Sequence, residues 1–330
     1  MVCENPRARG KTGKPACRGG VWCVARYADA MTLATTPEAP FGRMTTAMAT
    51  AFAADGSVDL DQTAAIASHL VDNGHDGVVV SGTTGEAPTT SVLEDGEILR
   101  VVKEAVGHRA KVVAGVGTNS TEHSIELARQ AEKHGADGLL LVTPYYSRPG
   151  QAGVLHHFTE VVRATDVPVM LYDVPGRTGT VIELDTYARA KELAPVVAVK
   201  DAVGDYARGV RIMDLGYALY SGDDHANLGW LAHGACGFVS VVGHVGGQML
   251  SAMAGAFFHG DHAGALALYH RLLPTVDAIM SVPNYGATTS KAALELLGVL
   301  DNRRVRSPLV PLTEQEVEAL RIGLAKSGLI

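Results

Sequence analysis

The stretch Pro195-Val196-Val197-Ala198-Val199-Lys200-Asp201-Ala202 contains a short apolar, β-prone run that ends on a lysine. Such a run is typical of a strand buried on both faces, as in parallel sheets. Lys200 is the only one of the nine lysines that closes such a strand. A buried amine loses the solvation that favours its ammonium form, so its pKa falls and it becomes a nucleophile near neutral pH. The stretch therefore predicts a lysine able to form a Schiff base. The alternative is a snorkelling lysine whose ammonium stays in water.

Short apolar runs alternate with amphipathic segments over most of the chain. The expected strands, eight in all, cover residues 44–50, 77–81, 111–116, 138–142, 167–172, 196–200, 218–221 and 237–241. Helical patterns between them include residues 59–73, 91–106, 121–134, 153–165 and 183–193. Eight alternations of this kind favour a closed (β/α)8 TIM barrel over an open doubly wound sheet.

The two ends of the chain differ from this central part. Residues 1–41 are rich in Gly, Arg, Lys, Pro and Thr without periodicity, so we expect a disordered extension or one that is not truly expressed, with Met31 as an alternative start to Met1. Four helical patterns at 247–259, 261–281, 285–297 and 313–326 follow the last strand. The expected domains are therefore the barrel at 42–245 and a C-terminal helical domain at 246–330.

Composition limits the classes of function. Hydrophobic residues make up 47% and charged residues 19%, which suits a globular chain with a large core. The net charge of −7 and the lack of a basic stripe argue against nucleic acid as a partner. No long apolar run or secretory signal pattern is present, so we expect no membrane partner and a cytoplasmic location. The spacing of the four cysteines fits neither a zinc site nor a disulfide framework, and no metal is expected.

Polar residues follow several expected strands. In a TIM barrel the active site lies at the carboxyl ends of the strands. The second strand ends in Ser81-Gly82-Thr83-Thr84-Gly85-Glu86, whose amides and hydroxyls can hold a carboxylate or a phosphate. The fourth strand is followed by Tyr145 and Tyr146, and the fifth ends in Tyr-Asp-Val-Pro-Gly-Arg-Thr-Gly at residues 172–179. Tyrosine, arginine and the Gly-Thr-Thr-Gly turn are thus expected on the same face as Lys200.

The motifs at residues 82–86, 172–179 and 200–202, in this order, resemble those of the pyruvate-dependent class I aldolase and lyase family. The resemblance runs from about Gly42 to the C-terminus. It implies a TIM barrel with a three-helix C-terminal domain, assembled as a homo-oligomer, usually a tetramer built as a dimer of dimers. Within the family, the motifs match the branch that condenses pyruvate with L-aspartate 4-semialdehyde in lysine and diaminopimelate biosynthesis. No cofactor is implied beyond the covalent imine of pyruvate on Lys200.

The resemblance also implies catalytic roles. Lys200 would form the imine, and we expect it to be the only buried, neutral amine of the chain. Tyr172 would act as the acid and base that moves protons. Tyr172 would be linked through Thr84 to Tyr146, which would reach the site from a neighbouring subunit. Phenol and hydroxyl groups in such a relay can carry protons without a metal.

Further residues are implied to bind the two substrates. Thr83 and Thr84 would hold the pyruvate carboxylate, and Arg177 would bind the carboxylate of the aldehyde substrate. Gly222 and Val239 would line the pocket with their backbones. Two alternatives stay open: a sister aldolase that uses pyruvate with another aldehyde or a 2-keto-3-deoxy sugar acid, against which Arg177 argues, and a non-catalytic paralogue.

The sequence departs from the family pattern at a few positions. Ala51 follows Thr50 where the family usually has proline. In lysine-inhibited members, histidines and a glutamate line an effector site, and the matching positions here hold Val92, Asp95 and His123. Asn119 and Tyr145 are retained, so the pocket is only partly present. We expect weak or absent inhibition by lysine.

Overall fold

Eight parallel strands form a barrel in the computed structural model, which describes residues 36–282 and 286–330. The strands are neighbours in chain order, and β8 pairs with β1 to close the barrel. Their bounds are β1 Met44–Ala47, β2 Gly77–Val80, β3 Lys111–Gly115, β4 Gly138–Val142, β5 Val169–Asp173, β6 Val196–Asp201, β7 Ala218–Ser221 and β8 Gly237–Ser240. The predicted (β/α)8 barrel is confirmed.

Helices surround the barrel and continue beyond its last strand. The helices that follow strands β1 to β7 are α1 Leu60–Asp72, α2 Val92–Val106, α3 Thr121–Lys133, α4 Gln151–Val162, α5 Pro175–Thr178, α6 Leu184–Ala190, α7 Tyr206–Asp214 and α8 Asn227–Ala232. The helices after β8 are α9 Gly243–Phe258, α10 His262–Met280, α11 Ala287–Leu296 and α12 Glu314–Ser327. The expected C-terminal helices are therefore present.

Side chains at the helix starts explain several of these bounds. Ser91 and Glu94 form a reciprocal capping box at the start of α2, and Thr313 and Glu316 do the same at the start of α12. Asp205 precedes α7, and its carboxylate accepts a hydrogen bond from the Arg208 amide. Each cap satisfies amide groups that have no partner within the helix.

Alternation along the strands separates two apolar layers. Val79 and Val113 point into the barrel, where they pack with Met170 and Tyr220. Their strand neighbours pack instead against the surrounding helices, because successive side chains of a strand face opposite sides. Phe41 also lies in the barrel interior, and its amide donates a hydrogen bond of 3.0 Å to the Tyr220 hydroxyl oxygen. Residue 41, which was expected in the N-terminal extension, thus belongs to the barrel core.

The C-terminal helices share a separate apolar core with the last strand. Leu250, Leu272 and Leu320, from α9, α10 and α12, are buried together with Phe238 of β8. Within the described ranges, none of the helices combines the length and apolarity needed to span a bilayer. The remaining expectations for the N-terminal extension concern residues 1–35, which lie outside the described residues, as does residue 285, the expected start of the third C-terminal helix.

The strand ends differ slightly from the sequence prediction. β1 stops at Ala47, three residues before its expected end. β6 continues to Asp201, one residue beyond Lys200, because Asp201 pairs with Asp173 of β5 and Ser221 of β7. Helices α7 and α8 were not among the predicted patterns.

Candidate active site

A cavity of about 590 Å³ opens at the carboxyl ends of the strands. Side chains from the loops after β2, β4, β5 and β7, and from β6 itself, line it. Of the residues singled out from the sequence, the cavity wall contains Thr83, Thr84, Tyr172, Arg177, Lys200 and Gly222. The barrel topology therefore brings together residues that are more than one hundred positions apart in the chain.

Lys200 is buried, with 4% of its surface exposed. The pKa of its amine is lowered to about 7, chiefly by burial; the carboxylate of Asp224 opposes this change and the positive charge of Arg177 contributes to it. The Lys200 Nζ lies 4.2 Å from the centroid of the Tyr172 ring, because Lys200 and Tyr172 are direct partners in the β5–β6 ladder. The amine is thus available as a nucleophile near neutral pH.

Gly222 allows the chain after β7 to pass close to the lysine. A Cβ atom at this position would lie 3.0 Å from both Cγ and Cε of Lys200 and 2.9 Å from the Asp201 carbonyl oxygen. These separations are shorter than ordinary van der Waals contacts. Any larger residue would therefore displace the Lys200 side chain. Glycine at position 222 leaves the room that this side chain occupies.

The turn after β2 presents the two threonines to the cavity. Thr84 is buried and Thr83 is exposed, and both line the cavity wall. The Thr50 hydroxyl donates a hydrogen bond of 2.9 Å to the Gly85 carbonyl, which anchors the turn to the loop after β1. Glu86 adopts a left-handed conformation with φ of 61°. Tertiary contacts must hold such a non-glycine residue in place.

Glu86 forms a buried ion pair with Lys291 of α11, and both side chains are only 1% exposed. The second carboxylate oxygen of Glu86 accepts a 2.8 Å hydrogen bond from the Arg306 amide, and Lys291 donates to the Arg304 carbonyl at 2.7 Å. The C-terminal region thereby holds the threonine turn. Lys291 is a second buried lysine, and burial lowers its pKa to about 8 while the carboxylate of Glu86 opposes this change.

Arg177 lies on the short helix α5 after β5. It is exposed and lines the cavity. Pro175 starts this helix, and Gly179 ends it in a left-handed conformation with φ of 72°, which glycine adopts readily. The guanidinium is thus placed at the cavity wall while remaining open to solvent.

Two residues named from the sequence lie elsewhere. Tyr146 is 89% exposed and does not contribute to the cavity of its own chain, whereas its neighbour Tyr145 does. Val239 is buried in the barrel interior, and Val241 is the nearby residue that lines the cavity.

Asp224 lies in the loop after β7 and was not among the residues predicted for the site. Its buried carboxylate accepts hydrogen bonds from the amides of Val241 and Val242 and from the side chains of Asn227 and Ser240. It joins the loop after β7 to the end of β8. The signal in the sequence was its position three residues after the expected strand at 218–221. Across the described part of the chain, no group of three or more His, Cys, Asp or Glu side chains could hold a metal ion.

A TIM barrel with a buried, reactive lysine beside a tyrosine at the carboxyl ends of its strands defines a class, the barrel enzymes that work through a Schiff base. The chain belongs to the dihydrodipicolinate synthetase family, whose family model matches residues 40–326.

Several known proteins are similar over nearly their whole length. The 4-hydroxy-tetrahydrodipicolinate synthase of Kineococcus radiotolerans is 54% identical over 297 residues, which cover 90% of this chain and 96% of that protein. The crystal structure of a dihydrodipicolinate synthase from Bacillus anthracis is 40% identical, with a TM-score of 0.83 over 86% of this chain and 98% of that one. A lysine-bound synthase from Cyanidioschyzon merolae is 37% identical, with a TM-score of 0.84 over 89% of this chain and 100% of that one.

Proposed function

We propose that the chain is a lyase that condenses pyruvate with L-aspartate 4-semialdehyde to 4-hydroxy-tetrahydrodipicolinate, a step of lysine and diaminopimelate biosynthesis. The observation that carries the proposal is the buried Lys200 amine, with its pKa of about 7, against the Tyr172 ring in the cavity. Similarity to synthases over almost the entire chain supports the same activity.

The reaction begins with the keto group of pyruvate. The Lys200 amine attacks the C2 carbonyl carbon, and loss of water from the carbinolamine gives the imine. Thr83, Thr84 and the amides of their turn hold the pyruvate carboxylate. The protonated imine withdraws electrons from C2, so the methyl group loses a proton and becomes the nucleophilic carbon of an enamine.

A carbon–carbon bond forms next. The enamine carbon attacks the aldehyde carbon of the second substrate, whose oxygen takes a proton and becomes a hydroxyl. The substrate amine then attacks C2 and displaces the Lys200 amine, which closes the ring and returns the free enzyme. Arg177 holds the carboxylate of this substrate through paired, charge-assisted hydrogen bonds.

Each of these steps moves a proton. Tyr172 is the proposed acid and base, and the buried Thr84 links it to Tyr146 of a neighbouring subunit.

The exposure of Tyr146 and of Leu93, at 89% and 79%, supports an interface between copies, which we propose to be part of a homotetramer. No cofactor takes part beyond the imine on Lys200. We place the enzyme in the cytoplasm because its substrates are intermediates of central and amino-acid metabolism.

A panel of aldehydes tests the proposal against a sister aldolase. With pyruvate held constant, L-aspartate 4-semialdehyde should give the highest kcat/KM, above that of aldehydes lacking a carboxylate and of sugar-derived aldehydes. A higher kcat/KM for a sugar-derived aldehyde would assign the chain to the sister activity instead.

Arg177→Ala should raise the KM for aspartate semialdehyde far more than the KM for pyruvate. A guanidinium pairs with a carboxylate in a bidentate geometry, and a hydrogen bond to a charged group contributes about 1.5–3 kcal/mol, or roughly 10-fold to 150-fold in affinity. Steady-state kinetics with each substrate varied in turn would measure both constants. Arg163→Ala is the control, because Arg163 pairs with Glu160 on α4 and does not line the cavity. Equal increases in both KM values would give Arg177 a structural role.

Free L-lysine should inhibit the enzyme weakly or not at all. Asp95, His123 and Tyr145 line one side of the cavity, but Val92 offers no polar side chain. Burial raises the pKa of Asp95 to about 6, and its carboxylate already accepts a 2.8 Å hydrogen bond from the Thr90 hydroxyl. Since a buried charge without a full set of partners costs several kcal/mol, a charged ligand gains little here.

A titration of L-lysine at saturating pyruvate would measure this inhibition. Half-inhibition is expected only above about 1 mM, which corresponds to a binding free energy of about −4 kcal/mol. The same titration with the coupling enzyme alone is the control. Sub-millimolar inhibition would show that the pocket binds lysine through other residues.

A further inference from the structure

Two buried carboxylates follow two of the proposed catalytic residues. Asp173 comes directly after Tyr172, and Asp201 directly after Lys200. Tyr172 pairs with Lys200 in the ladder of β5 and β6, and Asp173 pairs with Asp201. Because side chains alternate along a strand, the two carboxylates face the surrounding helices while Tyr172 and Lys200 face the cavity. Neither aspartate side chain is exposed.

Arg208 of α7 joins the two carboxylates. One of its terminal nitrogens donates to Asp173, and the other donates to Asp201 Oδ2 at 3.1 Å. The remaining oxygen of Asp201 accepts hydrogen bonds from the amides of Val203 and Gly204 at 2.9 and 3.0 Å. A single planar guanidinium thus fixes the distance between the ends of β5 and β6.

The same arginine also anchors the loop that carries Arg177. Arg208 donates to the Ile182 carbonyl, and the Ile182 amide donates to Asp173 at about 3.2 Å. The segment 174–181, which contains Arg177, therefore lies between Asp173 and Ile182, and both of these residues are hydrogen-bonded to Arg208. The Tyr187 hydroxyl donates to Asp173 at 3.1 Å and closes the cluster on the helix side.

The cluster holds two carboxylates and one guanidinium, and both carboxylates are fully buried. Burial raises the pKa of both Asp173 and Asp201, and the guanidinium of Arg208 opposes this change. Without the arginine, two carboxylates at adjacent ladder positions would repel each other or share a proton. Either response would move the ends of β5 and β6 relative to one another.

We propose that Arg208 is a positioning residue that holds Tyr172, Lys200 and the Arg177 loop in the geometry required for catalysis. Arg208 does not line the cavity and acts through Asp173, Asp201 and Ile182. The proposal deepens the proposed function and rests on it. A residue that only stabilised the fold would change the melting temperature and leave the chemistry of the folded enzyme intact.

The test compares Arg208→Gln and Arg208→Lys with the unmodified enzyme. Arg208→Gln should lower kcat by about 10²-fold in protein that is still folded, since a displacement of about 1 Å can cost that much. Arg208→Lys keeps the charge but lacks the planar guanidinium that bridges two carboxylates. Its kcat should therefore lie between that of the unmodified enzyme and that of Arg208→Gln. The pH midpoint of imine formation should also shift in both variants, because the surroundings of Lys200 change.

Arg303→Gln is the matched control. Arg303 also pairs with two carboxylates, Glu295 and Glu314, and neither of these lines the cavity. It should keep the kcat and the pH midpoint of the unmodified enzyme. The comparison distinguishes the general effect of losing an arginine that pairs with two carboxylates from the specific effect of losing Arg208.

The outcomes distinguish failure of the positioning role of Arg208 from failure of the proposed function. If Arg208→Gln is folded by circular dichroism and keeps its kcat within about twofold and its pH midpoint, the positioning role is overturned. If Arg208→Gln does not fold, the same criterion applies to Arg208→Lys. If the unmodified enzyme forms no imine, the proposed function falls and this inference falls with it. A normal imine together with unaffected Arg208 variants overturns the inference alone.

Discussion

Pyruvate and sodium borohydride together should add a single covalent adduct to the enzyme, and peptide mapping should locate it on Lys200. The amine of this residue lies in the cavity and has a pKa of about 7, so a large fraction is free to attack a carbonyl at neutral pH. Lys291 is also buried, but it is paired with Glu86 and does not line the cavity. Intact mass would count the adducts, and peptide mapping would locate them.

Lys200→Arg should abolish both the adduct and turnover, because a guanidinium keeps a positive charge but cannot form the imine. Lys103→Arg is the control, since Lys103 pairs with Asp137 and does not line the cavity. An adduct on Lys291, or one that persists in Lys200→Arg, would contradict the assignment of the nucleophile.

The pH dependence of trapping follows from the same pKa. Only the deprotonated amine attacks pyruvate, so the initial trapping rate should rise as the pH increases through about 7 and then level off. An exposed lysine, with a pKa of about 10.4, would show a rate that continues to rise well into the alkaline range. A midpoint near 10 would mean that Lys200 is solvated in the working enzyme.

Tyr172→Phe should lower kcat by roughly 10²- to 10⁴-fold, the range of a general acid or base. The substitution removes one hydroxyl and keeps the ring that packs beside Lys200 and the barrel core. Steady-state kinetics, with circular dichroism to verify folding, would measure the effect.

Tyr217→Phe is the matched control for this loss of a hydroxyl. The Tyr217 hydroxyl donates to the Tyr187 carbonyl at 2.8 Å, and Tyr217 does not line the cavity. Its removal should reduce stability by about 1 kcal/mol and leave kcat unchanged. A Tyr172→Phe enzyme with nearly normal turnover would exclude the proposed proton route.

The barrel and the central lysine could be predicted because their signals are local. Alternating apolar and amphipathic segments specify the strand and helix order, and Lys200 stands out because it follows an apolar run. The turn at residues 82–86 could be placed at a strand end from its own residues, whereas the roles of its threonines came only from the family resemblance. In each case a few neighbouring residues contain the information.

Lys291 and Arg208 could not be identified in the same way. Each lies in a helix, where a basic residue is usually solvated, and only tertiary packing places it against buried carboxylates. Glu86 and Lys291 are 205 positions apart in the chain, so no local pattern connects them. Val239 shows a related limit, since a motif match does not reveal which residue of a strand end faces the cavity.

The pairing of β8 with β1 has a consequence for self-association. A sheet closed in this way presents no strand whose amides and carbonyls await partners, whereas an open sheet has two such edges. Copies of this chain therefore cannot extend one another's sheet. Within the described part of the chain, contacts between copies then depend on surface groups such as the exposed Tyr146 and Leu93 and not on pairing at an edge of the barrel sheet.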